Sequence, residues 1–196
     1  MKIVGLIGFK QSGKSTAAKY LEEKYGFVRH NMKDALIAEI RQNFPDLLDA
    51  ICLQMNIMRG EWDVLPWTIE RLFEEKPPLM RALMVNYGTE VRRGDKDGYW
   101  VDEYKDGVEY LATLGVDRIV TDDCRFINEA KAIKELKDNG GILIRIIRTD
   151  ITTGGDHSSE TEQLQIEADY TIEVGPGEQE KLYAGLDKII ANETSR

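Results

Sequence analysis

The sequence predicts an α/β domain built on a parallel sheet. Three observations carry that reading. Short apolar runs rich in β-branched residues alternate along the chain with stretches of helical period. The first run, Met1 to Ile7, leads directly into Gly8-Phe9-Lys10-Gln11-Ser12-Gly13-Lys14-Ser15, and a helix-forming segment comes at once after it. A later run, Arg118 to Asp123, ends in two carboxylates, as a buried parallel strand does when it emerges at a site.

The elements run in order along the chain. Met1–Ile7 is a buried strand. A helix from Ser15 to Lys24 ends at Tyr25-Gly26, with glycine at the C-cap. Phe27 to His30 reads as a second short strand. Met32, Leu36, Ile40 and Phe44 recur every four residues, an amphipathic helix stopped by Pro45. Leu47, Leu48, Ile51 and Met55 suggest another helix, Trp62 to Pro66 a loop, and Lys76-Pro77-Pro78 a break. Met80, Leu83, Met84, Tyr87 and Val91 share one helical face, and that helix closes with Arg92-Arg93-Gly94. Val101, Tyr104, Val108 and Leu111 mark a further helix, stopped at Gly115. After the strand ending in Asp122-Asp123, Phe126, Ala130, Ile133 and Leu136 line a helix closed by Asn139-Gly140-Gly141. Ile142–Ile147 is an apolar strand. Thr149 to His157 is a polar, glycine-containing loop, and Ser159-x-x-Glu162 is a capping box. Tyr170–Val174 is the last strand and Glu178–Ala191 the last helix.

Bulk properties narrow the function. The 196 residues suit one well-cored domain with an insertion. A net charge of −9 speaks against general nucleic-acid binding, which needs a basic face. Cys52 and Cys124 are too few and too far apart for a disulfide framework or a zinc site, and read as reduced thiols. Met1-Lys2 enters the first strand directly and no apolar run matches a membrane span, so the expected location is the cytoplasm.

Gly8 to Ser15 fits G-x-x-x-x-G-K-[ST], the Walker A pattern. Its glycines allow a tight curl and close approach to an anion. Its N–H groups and the following helix N-terminus then face phosphate. Gly8, Lys10, Ser12, Gly13, Lys14, Ser15 and Thr16 are the expected nucleotide-binding set. Lys14 would reach the β- and γ-phosphates, and Ser15 would bind Mg²⁺. The second metal residue is expected from the Asp122-Asp123 pair, with Asp123 favoured and Asp122 the alternative, because side chains alternate across a strand. Arg92, Arg93, Arg125, Arg145 and Arg148 stand at element ends, where guanidinium forks suit phosphates. His30 reads as structural, and neither it nor His157 is expected to act as a general base.

Several motifs appear in sequence order. They are the Walker A stretch, Gly88-Thr89-Glu90-x-x-Arg93 and Asp123-x-Arg125-Phe126-x-Asn128-Glu129. Gly140-Gly141-x-x-x-Arg145-Ile146-x-Arg148 and Asp156-His157-x-Ser159-Glu160 come after them. Met32-Lys33-Asp34-Ala35-Leu36 is a looser version of a Phe-Ala-Asp-x-Leu-Lys segment. Over nearly the whole chain this pattern resembles the deoxynucleoside monophosphate kinases of bacteriophages, in the P-loop kinase superfamily.

The resemblance implies a three-layer P-loop NTPase fold, with a five-stranded parallel sheet in the order 2-3-1-4-5. It implies transfer of the ATP γ-phosphoryl group to a (deoxy)nucleoside 5′-monophosphate, with Mg²⁺. Lys14, Arg93, Asp123, Arg125 and Arg148 would be catalytic. Lys33, Asp34, Gly88, Glu90, Arg92, Arg93, Arg145 and Glu160 would bind the acceptor. One domain would span 1–196, with a helical substrate-binding insertion at about 31–115 and a lid at about 149–160. A phage-encoded enzyme would work in the host cytoplasm, and a homodimer stays open. The rival readings are another small-molecule P-loop kinase, acting on dephospho-coenzyme A or a sugar, and a nucleotide-dependent switch ATPase.

Overall fold

A computed structural model of the chain describes residues 1–60, 65–96, 98–136, 140–151 and 162–194. The expected lid lies outside the described residues except for 149–151. The Ser159 capping box, His157, Glu160 and most of the Trp62–Pro66 loop are outside them as well.

Two compact units are present, Met1–Met32 with Val101–Arg196, and Lys33–Trp100. The first holds the sheet. β1 (Lys2–Ile7) is central, flanked by β3 (Arg118–Thr121) and β4 (Ile142–Arg148). β2 (Val28–Arg29) and β5 (Tyr170–Val174) are the edges. The order is β2-β3-β1-β4-β5 and every pairing is parallel, so the expected strand order and fold class hold. β3 stops at Thr121, leaving both carboxylates just beyond the strand.

Each face of the sheet buries one core, because β1 is apolar on both sides. Val4 and Leu6 pack with Ala17, Ala18 and Leu21 of α1 (Lys14–Tyr25), and with Leu182 and Leu186 of α8 (Gln179–Thr194). Ile3 and Ile7 pack with Tyr104 and Val108 of α6 (Tyr99–Thr113), and with Ile133 of α7 (Ile127–Glu135). This is a three-layer arrangement. At Gly5 a Cβ would lie 2.7 Å from Leu143 and 2.8 Å from Ile133, so helix and sheet close up only over glycine. α1 ends as expected, on Gly26 in the left-handed region at φ 68°.

Registry fixes where the chemistry-bearing ends fall. Gly5 pairs with Thr121 and Ile7 with Arg145. The chain leaving β1 at Gly8, the chain leaving β3 at Asp122, and Arg148 at the end of β4 therefore share the carboxyl edge of the sheet, where open α/β folds bind ligands.

The second unit is helical. α2 (Met32–Asn43), α3 (Pro45–Ile57), α4 (Ile69–Glu75) and α5 (Pro78–Val85) are followed by a π-helix, Asn86–Arg93. Pro45 and Pro78 open α3 and α5 at the first turn, where a missing N–H costs nothing. Ile40, Leu48, Ile51, Leu72, Phe73, Met80, Tyr87 and Trp100 form the unit's own core. The π-helix departs from the expected continuous α-helix. Val91, which an α-helical period puts on the face of Tyr87, is 41% exposed, whereas Tyr87 is buried. Among the described residues no helix is long and apolar enough to cross a membrane.

Candidate active site

The loop after β1 is built from backbone conformations that its sequence permits. Gly8 has φ 146°, Gln11 φ 65° and Gly13 φ 104°. A Cβ at Gly8 would sit 2.3 Å from the Ile146 carbonyl oxygen and 2.8 Å from Ser12 Oγ, so no other residue fits. Lys14 folds back along the loop and donates to the carbonyls of Gly8 at 2.6 Å and Phe9 at 2.7 Å. That holds its ammonium over the concave side.

Three features of this loop fit a phosphate chain. Ser12 Oγ is fully buried and has no hydrogen-bond partner among the described residues, an uncommon state for a buried hydroxyl. Gly13 at the N-cap of α1 offers no side-chain cap, and the first turn carries no acidic residue. The positive end of the helix dipole is therefore not neutralised locally. Ser15 and Thr16 are exposed at that end. From the loop a cavity of about 200 Å³ extends between Ser12, Gly13 and Thr16 on one side and Val174, Gly177 and Leu182 on the other. Glu178 shapes the far wall by accepting from the Gly175 N–H at 2.8 Å, and that bond holds its carboxyl below the usual range.

Arg148 belongs to this site. Its Nη1 lies 3.5 Å from the Gln11 carbonyl oxygen, and its Nε and Nη2 pair with Asp150 at 2.8 Å each. Arg145 is placed differently. Its guanidinium donates to the main-chain carbonyls of Gln163 at 3.2 Å and Ile166 at 2.5 Å, tying β4 to the segment before β5. Burial lowers its pKa from the usual arginine value.

The two carboxylates after β3 also separate in role. Asp122 is 5% exposed. Its Oδ1 accepts from Asn31 Nδ2 at 2.8 Å, its own N–H donates to Asn31 Oδ1 at 2.8 Å, and Arg29 lies 3.4 Å away. Asp123 is half-buried, and its Oδ1 accepts from the Met32 N–H at the start of α2, at 3.2 Å. Asp122 is thus fastened inside the protein and Asp123 stands at the rim. Glu129, 2% exposed, accepts from the backbone N–H groups of Arg125 at 2.8 Å and Phe126 at 3.2 Å. The Asp-x-Arg-Phe-x-Asn-Glu stretch therefore fixes its own turn, with the Arg125 side chain exposed. His30 stacks on Tyr104 with ring centres 4.9 Å apart, a packing role.

Among the described residues no group of three or more His, Cys, Asp or Glu could enclose a metal ion. Mg²⁺ does not need one, since it commonly binds through one or two protein oxygens plus substrate phosphates and water. Exposed Ser15 and half-buried Asp123 carry oxygens of the type Mg²⁺ takes.

In the second unit, Lys33 and Asp34 open α2, and Gly88, Glu90, Arg92 and Arg93 lie on the π-helix. Thr89 and Glu90 are exposed and Arg93 half-buried. Arg92 is engaged by Glu39 at 2.8 Å. The cavity wall of Val174–Leu182, Asn31 and the Glu39 cluster escape a reading of the sequence. A glycine-proline-glycine turn after the last strand was the one local signal for the first of these.

No protein-family model matches the sequence. Over 98% of its length the chain is similar, at 28% identity, to a protein of Acanthamoeba polyphaga mimivirus named "Putative deoxynucleotide monophosphate kinase", of which 97% is covered. Two solved structures align with it. "Crystal structure of TT1252 from Thermus thermophilus" covers 97% of this chain and 96% of that one, at 16% identity and TM-score 0.49. A structure described as "a putative kinase from chloroflexus aurantiacus" covers 99% and 96%, at 12% identity and TM-score 0.45. At these values neither structure adds to what the sheet order shows.

Proposed function

We propose that the protein transfers the γ-phosphoryl group of ATP to a (deoxy)nucleoside 5′-monophosphate. The observation that carries the reading is the loop at Gly8–Ser15. It combines a tight curl that admits only glycine at Gly8, a buried Ser12 hydroxyl with no partner among the described residues, and a lysine bonded back to the loop's own carbonyls. The full-length similarity to a protein named as a deoxynucleotide monophosphate kinase supports the choice of acceptor.

The donor's triphosphate lies in the loop, with its base directed into the cavity lined by Thr16, Gly177 and Leu182. Lys14 leaves the Gly8 and Phe9 carbonyls for the β- and γ-phosphates. Ser15 and Asp123 would hold Mg²⁺, which when bound would neutralise phosphate charge. An oxygen of the acceptor phosphate forms the new bond to the γ-phosphorus as the bond to the β-bridging oxygen breaks, and ADP leaves. The acceptor is mostly dianionic near neutral pH, since the second pKa of a phosphomonoester is about 6. No general base is needed. Positioning and charge stabilisation carry the rate. Arg148 sits beside the loop to meet charge on the transferring group. Acceptor recognition is assigned to Lys33, Asp34, Gly88, Glu90 and Arg93 on the sequence resemblance.

A panel of nucleoside monophosphates with Mg-ATP tests this. ADP and a nucleoside diphosphate should appear together. Turnover only with dephospho-coenzyme A or a sugar would replace the acceptor, and ADP with inorganic phosphate alone would replace the reaction.

A further inference from the structure

We propose that Glu39 is a positioning residue that holds Asn86–Arg93 in its π register and so sets the direction in which Arg93 points. For its catalytic consequence the inference rests on the monophosphate-kinase reading.

A π-helix is a rare form that needs a cause, because each widened turn exchanges good α-helical geometry for poorer packing. Here the register is explicit. The Gly94 N–H reaches back five residues to the Thr89 carbonyl, in a bond shared with the Val91 carbonyl, and by Lys96 the chain has returned to a four-residue bond, to Arg92. Tyr87 and Arg92 are five residues apart. On an α-helix, at about 100° per residue, they would diverge by about 140°. In this structure Arg92 Nη2 donates to Tyr87 Oη at 2.9 Å, and the guanidinium carbon lies 5.3 Å from the centre of the Tyr87 ring. The widened register brings the two side chains onto one face, where that contact forms.

Glu39, on α2, is the group that gathers it. Its Oε2 accepts from Tyr87 Oη at 2.7 Å and from Arg92 Nε at 2.9 Å, and Arg92 Nη2 is 2.8 Å away. Its Oε1 accepts from Tyr99 Oη. The Arg92 guanidinium also lies 5.0 Å from the Tyr99 ring centre. Burial pushes the Glu39 carboxyl up, but the bonds from Tyr99, Tyr87 and Arg92 outweigh it, and the group stays ionised. Its side chain is 17% exposed and that of Arg92 31%, so the pair is partly shielded from water, and loss of the carboxylate would remove the acceptor that joins Tyr87, Tyr99 and Arg92. A second tie, from Trp100 Nε1 to the Gly88 carbonyl at 2.9 Å, fixes the start of the turn but touches neither arginine.

The consequence falls on Arg93. Removing the extra residue of a π turn rotates the residues beyond that turn by about one residue step, about 100°. Arg92 is therefore a fastening, and Arg93 is the side chain whose aim the fastening decides.

The test uses the full chain with Glu39→Gln and the milder Tyr99→Phe, read by hydrogen exchange over 86–96 and by steady-state kinetics. Faster exchange at Gly94 is expected in both variants, larger for Glu39→Gln. In Glu39→Gln, KM for the monophosphate should rise about ten-fold and KM for ATP change less than about two-fold, the signature of a lost acceptor contact. Unchanged exchange at Gly94 in both variants would overturn the proposal, whatever the kinetics. Faster exchange with an unchanged monophosphate KM would overturn the link to Arg93. A wild-type protein inactive on every monophosphate would instead remove the kinase reading and the catalytic consequence with it, while exchange would still decide the register.

Discussion

The loop at Gly8–Ser15 and the π-helix at Asn86–Arg93 are both irregular backbone, and they are held in opposite ways. The loop is held from within. Its shape comes from glycines at positions of positive φ and from a lysine that bonds its own carbonyls. The π-helix is held from outside. Its register depends on Glu39, far back in the sequence on α2, and on Tyr99 and Trp100 of the helix that follows. A locally encoded conformation should tolerate change in its surroundings and no change in its own residues. A conformation imposed by partners should behave the other way round.

The largest expected effect is at the loop. Lys14→Ala should lower kcat by about a hundred-fold or more, the loss expected for one preorganised charge contact worth about 3 kcal/mol, with the fold intact by circular dichroism. Near-normal turnover would break the assignment of the loop as the donor site.

Next come matched glycine substitutions. Gly8→Ala places a Cβ 2.3 Å from a backbone oxygen at φ 146°, so it should destabilise by about 1–3 kcal/mol and remove ATP binding. Gly88→Ala meets side-chain atoms alone, the Leu36 methyls at 3.2 and 3.5 Å and Trp100 Nε1 at 3.9 Å, and has no positive φ, so it should cost less than about 1 kcal/mol. Denaturant melts and nucleotide titration would show the contrast. Equal losses would mean that the two regions are not held differently.

The carboxylate pair sharpens the same distinction. Asp123→Asn should raise the Mg²⁺ concentration needed for half-maximal turnover while leaving stability nearly unchanged. Asp122→Asn should chiefly lower stability, by about 1–3 kcal/mol, because it disturbs a buried pair with Asn31 and Arg29. A larger Mg²⁺ effect from Asp122→Asn would invert the roles.

The smallest effect concerns pH. The folded Glu39 carboxyl titrates below its usual value of 4.5. Its contribution to stability is therefore complete above pH 4.5 and is lost as pH falls through the lower, folded value. Acid titration of stability should be steeper in the wild type than in Glu39→Gln below pH 4.5. Parallel curves would show that the cluster does not hold the carboxylate charged.

Legibility in the sequence divides along the same line. Gly8, Gly13, Lys14 and the apolar runs of β1, β3 and β4 act through neighbours in sequence, so spacing was enough to find them. The sheet order came from the family resemblance and matches the structure. The direction of Asp122 depends on Asn31, 91 residues away, and the jobs of Arg92 and Arg145 depend on Glu39 and on two backbone carbonyls. The apolar period from Met80 to Val91 is a true helical pattern up to Val85, and then misleads because one turn widens. No local propensity encodes that widening, since it is stabilised by contacts that form only in the folded chain.

The most direct test of the proposed reaction tracks the transferred atom. Wild-type protein would be given Mg²⁺, a deoxynucleoside monophosphate and ATP labelled at the γ-phosphorus, and the products separated. Phosphoryl transfer predicts label at the β-position of the new deoxynucleoside diphosphate, in amount equal to the ADP formed, and transfer slowed about a hundred-fold or more in Lys14→Ala. Label recovered only as inorganic phosphate, at a rate indifferent to the monophosphate, would contradict it.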